Sequence, residues 1–339
     1  MDALGEICKR YPLAPLTFAN ICKIGPQPER SAVFRVACTA IELQTFSIRP
    51  AERTWLRYVN EHTGIPYPIR EPVTEPWHKV SLLVQIDLSG QPWPARLTQA
   101  ARRELLNDRK PIYRVFDFVL RCTIDVLGHR GDGRGVSVGL DVLRSLHARV
   151  WEGSGGGGVG NELLQIEGIG EARLRKLADA GVRTVRRLAG LECYHIERLM
   201  SRNPPYGQSL LRQLAGFPLL TLRAESLGEA PPPPQQQQQQ QQRTGRGLRM
   251  VRVVMGFENK AVPAWKGKTP WVSCVVEGLE GTEKGRLLWF WRGSVKRLDV
   301  SGGKEVVVGI TGYQGCKLIR VTLACEVLVG TMVQKDFEL

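Results

Sequence analysis

The densest concentration of chemically useful residues lies between Leu163 and Val182, in the string LLQIEGIGEARLRKLADAGV. Gly168-Ile169-Gly170 places two glycines around one apolar residue, which lets the backbone turn sharply and come close to another surface. Leu163, Leu164 and Ile166 close a short helical pattern before the turn, and Leu174 and Leu177 carry a helix after it that stops at Gly181. A turn that opens a helix presents free N–H groups together with the positive end of the helix dipole. That combination suits a phosphate and is indifferent to base identity. Arg173, Arg175, Lys176, Arg183, Arg186 and Arg187 crowd the same stretch. The expected chemistry is an electrostatic grip on a polyanion, with Gly168, Ile169 and Gly170 offering backbone N–H groups and Arg173, Lys176, Arg183 and Arg187 supplying charge. The alternative is a plain helical hairpin closed by a glycine turn.

No second constellation suggests bond-making chemistry. Gly267-Lys268-Thr269 has the tail of a phosphate loop, but residue 262 is valine where that motif requires glycine, and the surrounding proline and tryptophan suit a hairpin loop better. No acidic Walker B strand, DEAD-like tetrad, G-x-S-x-G, HExxH or carboxylate pair stands out. His62, His78, His129, His147 and His195 have no nucleophile at a fixed spacing and read as structural or surface residues. Eight cysteines are scattered with no Cys-x-x-Cys pair, a usage that suits small core residues in a reducing compartment and argues against zinc. We expect no catalytic residue, metal ligand or cofactor site here, and read the chain as a binding region and not a complete enzyme. A net charge of +14 favours an anionic partner. No lipidation motif supports a membrane surface, and the apolar stretch Leu318–Val333 is interrupted by Arg320 and Glu326.

The elements that must position these residues follow from periodicity. The expected fold class is multidomain, α then β: a helical bundle, a helix-hairpin-helix module of the kind found on DNA backbones, and a C-terminal immunoglobulin- or fibronectin-III-like β-sandwich. Residues 1–45 are hard to place because prolines break any long helix. Residues 46–152 form the bundle, with helices starting near Arg49, over His78–Leu88, Leu97–Asn107, Ile112–Leu127 and Val138–Trp151, and a flexible loop at Arg130–Gly135. Residues 153–160 read as a glycine linker and 161–217 as the hairpin module. Residues 218–339 form the sandwich, with a disordered proline- and glutamine-rich insertion at 228–247. The sandwich runs are MVRVVMGF, PWVSCVVEG, RLLWFWRG, EVVVGITG and KLIRVTLACEVLVGT. From Arg243 to Lys304 there are thirteen Lys/Arg against five Asp/Glu, either a solvated basic face or a second, non-specific contact to nucleic acid. Trp265, Trp271, Trp289 and Trp291 read as core or edge residues rather than base-stacking platforms.

Several strings resemble the domain first named in the J-protein of the protein translocon, which also closes the motor cassettes of Ski-like superfamily 2 helicases. They are SIRPAER from Ser47, YPI from Tyr67, HKVSLLVQ from His78, ARVWE from Ala148 and NPPYG from Asn203, covering about residues 44–333. Within that family the chain is most similar to the meiotic crossover helicases, fungal forms especially, a likeness supported by Cys325-Glu326 and Val329–Val333. The resemblance implies a nuclear location and a parent ATP-dependent 3′-to-5′ DNA helicase that uses ATP and Mg and acts on recombination intermediates. It implies single-stranded or branched DNA as partner, with meiotic recombination proteins as further candidates and no membrane. Motor motifs are missing, so neither ATP hydrolysis nor unwinding passes to any residue here. A regulatory protein-interaction module, as in spliceosomal RNA helicase relatives, is the other function it implies; a translocon component fits less well, since no J-domain pattern or membrane span is seen. Residues Tyr11 to Ala40 have no counterpart in the family pattern and are expected to be an unspliced or mispredicted segment.

Overall fold

The computed structural model describes residues 3–90, 92–153, 161–229, 248–280, 285–311 and 315–338. Most of the glycine linker and of the proline- and glutamine-rich insertion lies outside the described residues.

Among the described residues, eleven helices precede seven strands. Helix α1 (Ala3–Arg10) precedes the segment from Tyr11 to Ala40 that was expected to be unspliced or mispredicted, and α2 (Pro15–Ile21) and α3 (Arg30–Cys38) lie within it. All three pack into the bundle. Ile21, Val33, Phe34, Ala37 and Cys38 are buried in the same apolar cluster as Trp55, Leu83 and Phe116. Phe34 packs its ring 5.7 Å from that of Phe116 and 5.6 Å from that of Trp151. Polar ties repeat the message: the Arg10 guanidinium lies 2.6 Å from Asp125 and the Tyr11 hydroxyl donates to the same carboxylate at 2.7 Å. Helices of seven to nine residues punctuated by prolines are too short to show a 3.6-residue period, so only their packing reveals them.

Helices α4 (Arg53–His62) and α5 (Pro76–Leu88) follow. The next helix, α6 (Gln99–His129), is continuous where two helices were expected, with Pro111 inside it. Proline there forfeits one backbone hydrogen bond. The helix continues because it is pinned on both sides of that point, by buried Asp108 before it and by buried Ile112, Tyr113 and Phe116 after it. Asp108 accepts from Arg49 and lies 2.8 Å from Nζ of Lys79, which is fully buried and also lies 2.8 Å from the equally buried Glu52. The polar letters in SIRPAER and HKV are therefore one charge network joining the start of α4, α5 and α6. Gln85 brackets Tyr67, accepting from its N–H at 2.7 Å and donating to its carbonyl at 3.0 Å.

The segment read as a flexible loop is a tight helix start. Asp132 caps α7 (Gly133–Ala148) by accepting from the Gly135 N–H at 2.7 Å, and its other oxygen accepts from the Gln27 N–H at 2.6 Å. Glycine is required at 133 because a Cβ there would sit 2.9 Å from the backbone nitrogen of Leu287.

After a 3₁₀ turn (Asn161–Gln165) come α8 (Glu171–Asp179), α9 (Val185–Ala189), α10 (Cys193–Met200) and α11 (Tyr206–Leu214). The strands are β1 (Leu220–Glu229), β2 (Arg249–Phe257), β3 (Trp271–Leu279), β4 (Gly285–Ser294), β5 (Lys304–Ile310), β6 (Leu318–Cys325) and β7 (Val333–Glu338). They form two antiparallel sheets, β1-β2-β5 and β4-β3-β6-β7. The last apolar run breaks at Glu326, and β7 is a polar edge strand that alternation does not reveal. Val251, Val253 and Met255 of β2 share one cluster with Val272, Cys274 and Val276 of β3. Leu163, Ile169, Leu177 and Phe217 belong to that cluster too, so the helices after residue 161 and the two sheets have one core. Strand β3 is buried on both sides, because Val275 and Glu277 face α7.

The bundle meets the sheets through buried charge. Glu326, fully buried, accepts from Arg292 of β4 at 2.6 Å and from Arg121 of α6 at 3.1 Å. Burial alone would raise its carboxyl; Arg292 and Arg121 hold it below the ordinary range. Arg144 of α7 pairs with Asp141 and Glu152 and donates to the Cys325 carbonyl at 3.1 Å. Removing one member of such a set strands the others. Glu326→Ala should therefore lower unfolding free energy by about 3 kcal/mol or more, measured by denaturant titration, whereas an unchanged midpoint would show the clamp to be dispensable.

A carboxyl of opposite behaviour sits at the joint. Glu162 accepts from the Val185 N–H at 2.5 Å and crowds Gly330, where a Cβ would lie 2.3 Å from its oxygen. Burial, aided by the nearby charge of Glu152, pushes it from 4.5 up to about 7 against the pull of the Val185 N–H. The folded state thus holds this proton more tightly than the unfolded chain. The associated stability is complete below about pH 4.5 and is lost as pH rises through about 7. The loss should reach roughly 3 kcal/mol at most. Glu162→Gln keeps an acceptor for Val185 and should flatten that pH dependence in denaturation curves; the same slope in both proteins would refute the assignment.

Candidate nucleic-acid interface

The glycine turn is built on an apolar anchor. Leu163, Ile166 and Ile169 are buried, and the chain winds tightly, with Ile166 N–H donating to Leu163 and Ile169 N–H to Ile166, each at 3.1 Å. Gly168 adopts φ +85°, a left-handed conformation that favours glycine. Gly170 caps α8, its carbonyl accepting from Arg173 at 3.0 Å and Leu174 at 2.9 Å. The N–H groups of Gly170, Glu171 and Ala172 have no acceptor among the described residues. Ile169 points inward while both glycines are exposed, so the unpaired donors lie at the surface.

Four of the expected residues, Gly168, Ile169, Gly170 and Arg173, gather here, and Lys176 stands in the last turn of α8. Arg173 turns back to donate to the Gly168 carbonyl, and Lys176 reaches the Ser201 hydroxyl at 3.0 Å. The turn also meets residues that the local sequence pattern missed. Tyr206, at the start of α11, takes the Arg173 guanidinium over its ring at 5.7 Å and that of Arg202 at 5.9 Å. The only sequence signal for them was the NPPYG string, which carries no chemistry of its own. Two acidic side chains stand beside the turn: exposed Glu167, and Glu171 in the first turn of α8. Glu171 lies 3.7 Å from Arg175, and both are well exposed, so the pairing offsets little of the local negative charge.

Arg183 and Arg187 do not join this group. They follow the far end of α8, and a nine-residue helix separates its ends by roughly 13 Å. Neither makes an ion pair with a described residue, whereas Arg186 between them lies 2.6 Å from Glu258 and donates to the Leu220 carbonyl at 3.2 Å. The expected site is thus two basic groups at opposite ends of one helix.

Gly267-Lys268-Thr269 belongs to a hairpin: Trp265 and Lys268 exchange backbone hydrogen bonds at 2.9 and 3.0 Å around Lys266 and Gly267. His78 is structural, its Nδ1 accepting from the N–H groups of Thr74 and Glu75 at 3.0 Å each. His147 pairs with Asp117 at 2.8 Å. Among the described residues no group of His, Cys, Asp and Glu is arranged to hold a metal ion, and no helix is long and apolar enough to cross a membrane.

Comparison with known proteins completes the picture. Residues 1–276 match the family model described as the Sec63 Brl domain. This span includes the three N-terminal helices. Over 200 residues the chain is 22% identical to the ATP-dependent DNA helicase MER3 of Saccharomyces cerevisiae, a stretch that covers 57% of this chain and 16% of that protein. With a family match across most of its length and the bundle-then-sheets architecture in place, the chain belongs to the Sec63 Brl domain family.

Proposed function

We propose that this chain is the DNA-gripping accessory region of a MER3-like nuclear DNA helicase, holding single-stranded or branched DNA through its phosphates during meiotic crossover recombination. The observation that carries the proposal is the exposed turn at Gly168-Ile169-Gly170, where three unpaired N–H groups open α8 with Arg173 and, across Tyr206, Arg202 beside them. We read the two short helical segments joined by this turn as a helix-hairpin-helix and the strand orders β1-β2-β5 and β4-β3-β6-β7 as a fibronectin-III-like sandwich. Backbone N–H groups and a helix terminus recognise phosphate without reading sequence. ATP and magnesium would belong to motor domains of the parent helicase. This region would hold the strand and contribute no bond-breaking group.

Glu167 and Glu171 favour a second reading, a protein-docking surface with a regulatory role, because both carboxylates repel a polyanion. Gly170→Asp separates the two. Aspartate caps a helix as well as glycine does or better, and a Cβ at 170 meets nothing within 4 Å. The variant should keep its melting temperature while its carboxylate covers the free N–H groups. We expect its affinity for a labelled oligothymidylate to fall by about tenfold at low salt, read by anisotropy. Unchanged affinity, with protein partners still captured, would overturn the DNA reading in favour of docking.

A further inference from the structure

Three of the four sandwich tryptophans are packed as expected: Trp265 lies against Phe217 at 5.8 Å, and Trp289 and Trp291 lean on the sheet core. Trp271 departs from that pattern. It begins β3 with 52% of its surface exposed. Its backbone is held between strands, pairing with Ser294 of β4 and accepting from the Glu326 N–H at 2.9 Å, so the indole is presented on a rigid base. Exposed lysines and an arginine surround this end of the sandwich. Lys260, Lys266 and Lys268 lie on the β2–β3 connection, and Lys296 and Arg297 on the 3₁₀ turn Val295–Leu298 that follows β4. None of the five makes an ion pair with a described residue. The Val295 N–H donates to the Pro270 carbonyl at 3.0 Å, which brings that turn beside Trp271. Of the nearby carboxylates, Glu258 is engaged by Arg186, and exposed Asp299, just past the turn, lines a cleft with Arg223, Asn259 and Leu298.

This end is fastened to the hairpin module. Asn259 donates to the carbonyls of Ala215 and Phe217 at 3.0 and 2.8 Å and accepts from the Leu219 N–H at 2.8 Å, locking the β2–β3 connection to the end of α11. The glycine turn stands at the other end of α11, roughly 13 Å away along nine residues. The Arg186–Glu258 pair ties α9 to the start of the β2–β3 connection. The two arginines that the glycine turn left out thus flank the residue that ties α9 to the β2–β3 connection.

We propose that the loop end of the sandwich is a second contact for single-stranded DNA: Trp271 stacks an unpaired base, and Lys260, Lys266, Lys268, Lys296 and Arg297 bind the flanking phosphates. Unpaired ammonium groups around an exposed indole suit a single strand, whose bases are free to stack; duplex bases are already stacked on each other. The contact rests on the reading that the chain grips DNA, and extends the grip from the glycine turn past α11. It is tested with the full chain and an oligothymidylate of about sixteen nucleotides in a salt titration. Trp271→Ala should weaken binding about fivefold or more, and Trp271→Phe, which keeps a stacking ring, should retain most of the affinity. Replacing Lys266 and Lys268 together by alanine should reduce the slope of log affinity against log salt by about 1.4. All three changes are at exposed positions and should leave the melting temperature in place. If Trp271→Ala and the lysine pair both bind as the parent protein does while Gly170→Asp weakens, this contact is overturned and the hairpin reading stands. Failure of the parent chain to bind at all overturns both.

Discussion

The arrangement of this protein depends on one buried carboxylate. Glu326 reaches zero exposure at the boundary between helices and sheets, where it is acceptable only with both Arg121 and Arg292 in place. That requirement ties α6 to β4 and admits few alternative dockings, because any slip leaves a charge without a partner. The residues around it extend the constraint. The Cys325 carbonyl takes Arg144, the Glu326 N–H fixes Trp271, and Val329 exchanges two hydrogen bonds with Gln165 at 2.8 and 3.1 Å. One short turn between β6 and β7 therefore touches the bundle, the hairpin module and the exposed tryptophan at once.

Within the bundle, Lys79 plays a comparable part. Burying an ammonium group is costly unless carboxylates meet it, and Glu52 and Asp108 arrive from two other segments to do so. The polar strings that stood out in the sequence are thus internal couplings and not surface recognition. They mark where helices must meet, and apolar pattern alone does not specify such meeting points. Asn259 ties the β2–β3 connection, next to Trp271, to the end of α11, whose other end meets the glycine turn.

The legible and illegible parts of the fold separate along physical lines. Strands β2 to β6 were legible because a sandwich strand alternates or runs apolar. Helices α1 to α3 were not, since each is too short to display a period and is stabilised by contact with α6 and α7. Pro111 looked like a break because its local cost is real; the packing on either side outweighs it. At the site, the glycine turn was legible, since its geometry is set by neighbours in sequence. Arg202 and Tyr206 were not, because they reach it from more than thirty residues away. The grouping of Arg183 and Arg187 with the turn followed from proximity in sequence, which a helix between them undoes.

By itself the sequence determined that helices come before strands, the tight turn at Gly168-Ile169-Gly170, the positive charge and the family. These are properties of local sterics, composition and short motifs, and they survive without knowledge of what packs where. Only the tertiary structure decided which charges are spent on internal pairs and which remain for a partner: Lys79, Arg144 and Arg292 are consumed inside, while Lys266 and Lys268 have no described partner. It also singled out Trp271 among four similar tryptophans. Exposure and pairing depend on residues distant in the chain, and a linear reading does not contain those distances.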